Sequence, residues 1–371
     1  MVVDVRRVVE WMESWAPTSL AEEGDKVGLQ IGSMQGKVER AAVALDVTEA
    51  VVDEAIRRGA GLIIAHHPIL FRPLSAIRTD RADGRLLAKL IKHDIAVYAS
   101  HTNLDVATGG VNDLLAAALG LTATKPLKTS FSETLYKLVA YVPASHADEV
   151  REAVFAAGAG HIGNYSHCGF TVDGTGTFLP EDGANPFAGE RGRLETASEV
   201  RFETVVPERR KAAAVKALLA AHPYEEVAYD VFRLELPGEA FGLGRVGTLA
   251  EPTTLQSFAE FAKTAFGVPA LRIAGDPSRS VRKVAVLGGS GRSYVKHAIA
   301  AGADVFVTGD LDHHTAHDAI AAGLALVDPG HHIEQVMKGA VAARLNAHAT
   351  EQGWNLEAYP ASGSTEPFVF L

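Results

Sequence analysis

Hydrophobic and polar positions in the first third of the chain alternate between helical and extended patterns. MVVDVRRVVEWMESWAP is patterned as a helix over about Asp4–Trp15, ended by Pro17. AAVALDV (Ala41–Val47) is a continuous apolar run and reads as a buried strand. Thr48 follows as an N-cap for the helix TEAVVDEAIRRG, with Gly59 as its stop. GLIIAHHP is a second short strand that runs into two histidines, RLLAKLIKHD a helix, and IAVYASH a third strand. Strands separated by helices in this way predict a parallel sheet covered on both faces.

The last third repeats the plan. VRKVAVLGG, DVFVTGD and LALVDPGH read as strands, with SYVKHAIAAGA and TAHDAIAAG as helices between them. AIRRGAGLIIAHH (Ala55–His67) aligns with AIAAGADVFVTGD (Ala298–Asp310), and IAVYASH with ALVDPGH, which places His101 on His331. The middle third instead runs strand, helix, strand twice over, with longer alternating strands such as VRFETVV. The expected class is α/β: two related α/β lobes, residues 1–128 and 238–371, with a ferredoxin-like α+β domain inserted at 129–237.

Composition narrows the function classes. Forty-seven per cent hydrophobic and 22% charged residues suit a globular chain, and 371 residues suit two to three domains. A net charge of −10 argues against nucleic acid as the main partner, since no net positive field draws phosphates in. Cys168 is the only cysteine, which excludes an intrachain disulfide and any Cys-pair zinc site, so a metal must use histidine and carboxylate. The start lacks the apolar core of a signal peptide, and no run approaches the ~18 apolar residues of a membrane span. A cytoplasmic, soluble protein is expected.

The candidate chemistry is carried by histidine. His66 and His67 end one expected strand; His101 ends the next, with Asp105 four residues on. Asp310, His313, His314 and His317 follow a strand of the last third, and His331, His332 and Glu334 follow its final strand. Ligands of open α/β sheets collect outside the carboxyl ends of parallel strands. Imidazole and carboxylate there suit zinc, iron or manganese, and a bridging carboxylate can join two such ions. One His-His pair would read as a surface or capped-core feature; three pairs, each after an apolar strand and near acids, favour metal. Asp310 is a candidate to orient a ligand histidine through its second ring nitrogen.

Other features read two ways. AVLGGSGRS is either a tight turn or a seat for an anion, with Arg292 and Ser293 as helpers. His313, His314 and His317 are proton carriers beside the metal crevice or imidazoles bonded to a helix start. Tyr224, Glu225 and Glu226 line a binding cleft or are packing and solvated residues of a sheet edge, the second being favoured. No nucleophile elbow is found, and a catalytic role for Cys168 has little support.

AHHPILFRPLSAI, SHTNLDVATGGVND, FGLGRVGTL, TGDLDHHTAHDA, DPGHHIEQVMK and the closing EPFVF resemble the Nif-three-like family, whose members go by the name GTP cyclohydrolase 1 type 2 homologues. The middle third, with HPYEEVAYDV, resembles the PII- or CutA-like domain inserted in the longer bacterial members. The resemblance implies two divalent metal ions per subunit, with His67 and Asp105 on one, His66 and His331 on the other, and Glu334 bridging. His331 is favoured over His332 because it directly follows Gly330. His101 becomes a ligand or a partner close to the site. The family's Trp-Asp-Asn is replaced here by Gly24, Asp25 and Lys26. A homohexamer with inward-facing metal sites is also implied.

Two functions follow. The first is a metal-dependent hydrolase acting on a nucleotide or related small molecule that can bear phosphate, with His101 or His314 as the acid–base group. The second is a metal-binding or regulatory protein that senses a small molecule through its inserted domain.

Overall fold

The computed structural model describes residues 2–370 and is of mixed α/β character with several sheets. In chain order its principal elements begin with α1 (Val5–Trp15), β1 (Gly28–Ile31), β2 (Arg40–Ala44), α2 (Glu49–Arg58), β3 (Leu62–Ala65), α3 (Ala82–Lys92) and β4 (Ala96–Ala99). They continue through α4 (Thr102–Val106), α5 (Val111–Ala118), β5 (Thr122–Pro143), α6 (Ala147–Ala156), β6 (Gly169–Phe178), β7 (Glu195–Pro207), α7 (Glu208–Ala221) and β8 (Tyr229–Thr254). The remainder are α8 (Leu255–Phe266), β9 (Arg272–Ala274), β10 (Ser280–Ser290), α9 (Val295–Ala300), β11 (Val305–Gly309), α10 (His313–Ala321), β12 (Ala325–Asp328), α11 (Val336–Glu351) and β13 (Glu357–Pro360). Packing divides the chain into two compact units: Met1–Ser130 with Phe241–Leu371, and Phe131–Ala240.

The discontinuous unit holds two sheets. In the first, strand order is β13-β2-β3-β4-β1, parallel from β13 to β4 and closed by antiparallel β1. In the second, β10, β11 and β12 are parallel neighbours, flanked by antiparallel β9 beside β12 and β8 beside β10. Both faces of β3 are buried, which is why it reads as an unbroken apolar run. Leu62 and Ile64 join a core with Tyr98, Leu115, Phe306 and Leu345, while Ile63 and Ala65 face α2 and α3 through Val52 and Leu90.

Local chemistry sets the element ends as the pattern predicts. The Thr48 hydroxyl accepts the Val51 amide at 3.4 Å, and Gly59 closes α2 with φ of 67°, a left-handed turn that glycine adopts without strain. The strand β13 departs from the expectation for the last third. Residues 357–360 leave the second sheet and pair in parallel with Arg40–Val43 of the first. The strand is too short and mixed in polarity to announce its partner.

The contiguous unit runs strand, helix, strand, strand, helix, strand, in the sheet order β8-β5-β7-β6. Here β7 is antiparallel to both neighbours, with Leu138 opposite Thr204 and Thr171 opposite Phe202. Leu138, Ala140 and Phe202 pack against Val150 and Val154 of α6 and Leu218 of α7.

His222, just past α7, is buried with both ring nitrogens used. Nε2–H donates to the Tyr141 carbonyl at 3.0 Å, and Nδ1 accepts the Tyr224 amide at 3.1 Å. That pattern requires the neutral ring. Burial pushes its pKa below the ordinary 6.5, outweighing the bond to Tyr141, which pulls the other way. The unfolded chain therefore binds more protons just below that pH, and stability rises with pH there. The contribution of His222 is present above about pH 6.5 and is lost as pH falls. Acidification from about pH 7.5 to about 5.5 is expected to lower the melting temperature of this unit, and less so in His222→Gln, as calorimetry would read.

Candidate metal centre

The carboxyl ends of parallel strands in both sheets of the discontinuous unit supply the candidate ligands. His66 and His67 continue β3, and their amides still bond the Ala44 and Leu45 carbonyls at 3.0 and 2.9 Å. His101 and Asp105 follow β4, Asp310 follows β11, and His331 and Glu334 follow β12 in a short 3-10 turn. Of these, His66, His67, His101, Asp105, His331 and Glu334 form three overlapping groups whose ligand atoms lie within 4.8 Å of one another. The groups are His66 with His67 and His101, His67 with His331 and Glu334, and His66 with Asp105 and Glu334.

Every imidazole in the cluster is aimed by an acceptor on Nδ1. His66 donates to the Ser100 carbonyl at 2.9 Å, His67 to Asp46 at 2.7 Å, His101 to Asp25 at 2.9 Å and His331 to Asp310 at 2.8 Å. Each Nε2 is thereby turned into the cluster, the arrangement that fixes ring direction in metal-binding histidines. Glu334 sits among them. Its Oε2 is 3.1 Å from His67 Nε2 and 3.2 Å from His331 Nε2, while its Oε1 is 3.7 Å from His66 Nε2.

The resemblance implies His67 with Asp105 and His66 with His331; in the structure His66 lies beside Asp105 and His67 beside His331. The Nδ1 bond to Ser100 turns His66 toward α4, where Asp105 Oδ1 lies 3.7 Å away, and the bond to Asp46 turns His67 toward His331, with 3.3 Å between Nε2 atoms. His66 Nε2 and Asp105 Oδ1 are buried with no partner within hydrogen-bond distance. Buried polar atoms without partners are rare and costly, and a pair of them 3.7 Å apart fits a shared cation.

The electrostatics are those of a tightly packed acid–base cluster. Burial opposes charge on His67, but the hydrogen bonds it donates to Asp46 and Glu334 outweigh it and push the ring up to about 10. The bond to Glu334, against burial, pushes His331 up to about 9. Burial raises Asp105 to about 6 despite the pull of His66. Burial also works against charge on Glu334, yet the surrounding histidines hold it well below the usual carboxylate range.

Asp25, Asp46, Ser100 and Asn112 escaped sequence reasoning. Asp25 accepts from His101 and from both the amide and hydroxyl of Thr102, which overcome burial and keep it strongly acidic. Asp46 had one signal, an acid inside the otherwise apolar Ala41–Val47 run. Asn112 is buried and donates to the Asp105 carbonyl at 3.0 Å while accepting the Gly288 amide at 3.0 Å, tying the Asp105 turn to the end of β10.

The glycines of AVLGGSGRS serve close approach. A Cβ on Gly288 would meet Glu334 Cγ at 2.9 Å, and one on Gly289 would meet Glu334 Oε1 at 2.6 Å. Arg292 pairs with Asp312 at 2.9 Å. His314 is exposed at the start of α10, its ring 5.4 Å from that of His313, and belongs to none of the three groups; neither does His332. Asp312 caps that helix by accepting the His314 and Thr315 amides at 3.0 Å each. Beside His67 and His331 lies a cavity of about 760 Å³, bordered by Arg272, Asp310, Glu366 and Phe368.

Two sheets that present histidines and carboxylates at their strand ends define an α/β protein with a cluster able to hold a metal ion. Family comparison agrees in scope: the Duf34/NIF3 (NGG1p interacting factor 3) profile matches residues 3–367, and the chain belongs to that family. It is 52% identical over 370 residues to the GTP cyclohydrolase 1 type 2 homolog of Halalkalibacterium halodurans, covering 100% of both chains. It is 50% identical over 369 residues to that of Bacillus subtilis, covering 100% of this chain and 99% of the other. Among solved structures, a Bacillus cereus protein related to NIF3 is similar with a TM-score of 0.94, 50% identity and full coverage of both chains. No helix among the described residues is long and apolar enough to cross a membrane.

Proposed function

We propose that the chain holds two divalent ions, zinc, iron or manganese, and hydrolyses a nucleotide or related small molecule. The observation that carries this reading is the buried, unpartnered pair His66 Nε2 and Asp105 Oδ1 beside a Glu334 whose two oxygens address different histidines. One ion would be held by His66, Asp105 and Glu334, the other by His67, His331 and Glu334. Such ions, when bound, supply Lewis acidity and lower the pKa of water. The adjoining cavity of about 760 Å³ is of a size that admits a nucleotide. His101, held by Asp25, is the acid–base group of this reading; His314 would act only through reach from the exposed face of α10. The name borne by the relatives points to GTP as the first substrate to assay.

The two parallel sets β2-β3-β4 and β10-β11-β12 share one order, which supports a duplicated lobe at residues 1–128 and 238–371. The order β8-β5-β7-β6 supports a ferredoxin-like, PII- or CutA-like insertion at 129–237. Exposed Phe71, Leu74 and Ile77 support association of copies, taken here as a cytoplasmic homohexamer. A second reading, metal binding with sensing through the insertion, is favoured by a separate cavity in the contiguous unit.

Metal analysis of the purified protein, with GTP and simple phosphodiesters assayed in manganese, iron, zinc or cobalt, tests the proposal. Turnover that is lost in His67→Ala and Asp105→Ala is expected. Stoichiometric metal with no turnover across the panel would favour the sensing reading.

A further inference from the structure

The contiguous unit has a cavity of about 760 Å³ that the metal centre does not use. Its apolar wall is aromatic. Tyr224 stands between Phe178 and Phe187, each ring centroid 6.0 Å from its own, at interplanar angles of 58° and 45°. His146 packs edge-on behind Phe187 at 5.3 Å. Phe178, Phe187 and Tyr224 all line this cavity, and aromatic faces attract cations.

The polar lining has one sign. Asp173, Glu181, Glu199, Glu225 and Glu226 line the cavity, against Arg201 alone among cations, and Arg201 is engaged by Glu203 at 2.8 Å. The lining is also held in shape. The Tyr224 hydroxyl donates to Glu199 at 3.0 Å, and Glu225 accepts the Asn185 amide at 2.7 Å, which ties the loop carrying Phe187 to the turn carrying Tyr224. Gly176 keeps the floor open, since a Cβ there would lie 2.2 Å from the Glu199 carboxylate.

We propose that this cavity binds an organic cation, an ammonium group joined to an apolar body, with the charge over Tyr224 and its flanking phenylalanines and facing Glu199 and Glu226. Five carboxylates against one engaged arginine favour a cation over a neutral ligand and repel an anion. Burial and Glu199 push the Tyr224 phenol up to about 12, so it stays a donor to Glu199 and leaves its ring face to the ligand. The inference stands apart from the metal reading, since every lining residue falls within 131–240.

Calorimetric titration of the full chain with benzyltrimethylammonium, benzyl alcohol and benzoate tests it. The cation is expected to bind saturably, with the other two weaker by about tenfold or more. Tyr224→Ala and Glu226→Gln should each weaken the cation about five- to tenfold, with metal content unchanged. Equal binding of the three probes, or no saturable binding by about 20 mM benzyltrimethylammonium, would overturn the proposal. So would wild-type affinity in Glu226→Gln, a change at an exposed position with its fold checked by circular dichroism, should Tyr224→Ala not fold.

Discussion

Glu334→Ala is expected to lower metal affinity by about 100-fold or more and to empty both halves of the cluster together. Its two oxygens are the only groups shared by the His66–Asp105 and the His67–His331 sets. Removing Asp105 instead leaves His67, His331 and Glu334 in place, and removing His331 leaves His66, Asp105 and Glu334. Elemental analysis after dialysis against a weak chelator distinguishes the outcomes. Glu334→Ala should retain almost no metal, whereas Asp105→Ala and His331→Ala should each retain part. The substitution is expected to leave the fold in place, because His67 and His331 keep their bonds to Asp46 and Asp310. Full retention of metal by Glu334→Ala would refute a shared site.

Gly289→Ala should weaken metal binding about 10- to 100-fold, the scale seen when groups that support metal ligands are disturbed. Gly289 has φ of +63°, and a Cβ there would lie 2.6 Å from Glu334 Oε1 and 3.2 Å from His331 Nε2. Two effects therefore combine, a left-handed backbone that costs about 1 kcal/mol for an L-residue and displacement of two candidate ligands. Gly302→Ala separates them. Gly302 has φ of +67°, but its nearest neighbour is the flexible end of Lys283 at 3.7 Å. The two variants should lose similar stability in thermal unfolding, and only Gly289→Ala should lose metal. Equal metal binding in both would mean that Gly289 shapes a turn and nothing more.

Much of this arrangement is legible in the sequence because the strands that matter are buried on both faces. GLIIAHH announces both a strand and its functional end, since four consecutive apolar residues stop abruptly at two imidazoles. The same logic finds His101, Asp105, His331 and Glu334. The way the ligands divide between the two sets is not legible, because it depends on which acceptor holds each Nδ1. Ser100 acts through its carbonyl, which every residue possesses, and Asp25 comes from a loop 76 residues away from His101. The glycines of AVLGGSGRS were ambiguous for a similar reason: a missing side chain does not say whether an anion or a neighbouring carboxylate fills the space. Tyr224, Glu225 and Glu226, for which solvated packing was the favoured reading, border the aromatic cavity. That cavity depends on the 180–192 loop, which has no periodicity to read.

The placement of β13 bears on how the protein is made. Residues 357–360 lie beside β2, so the sheet that carries His66, His67 and His101 keeps an open edge until residue 360 has left the ribosome. The contiguous unit has no such wait, since its four strands and two helices emerge in succession. A nascent chain would thus display a finished inner module while the residues able to hold a metal ion are still being gathered.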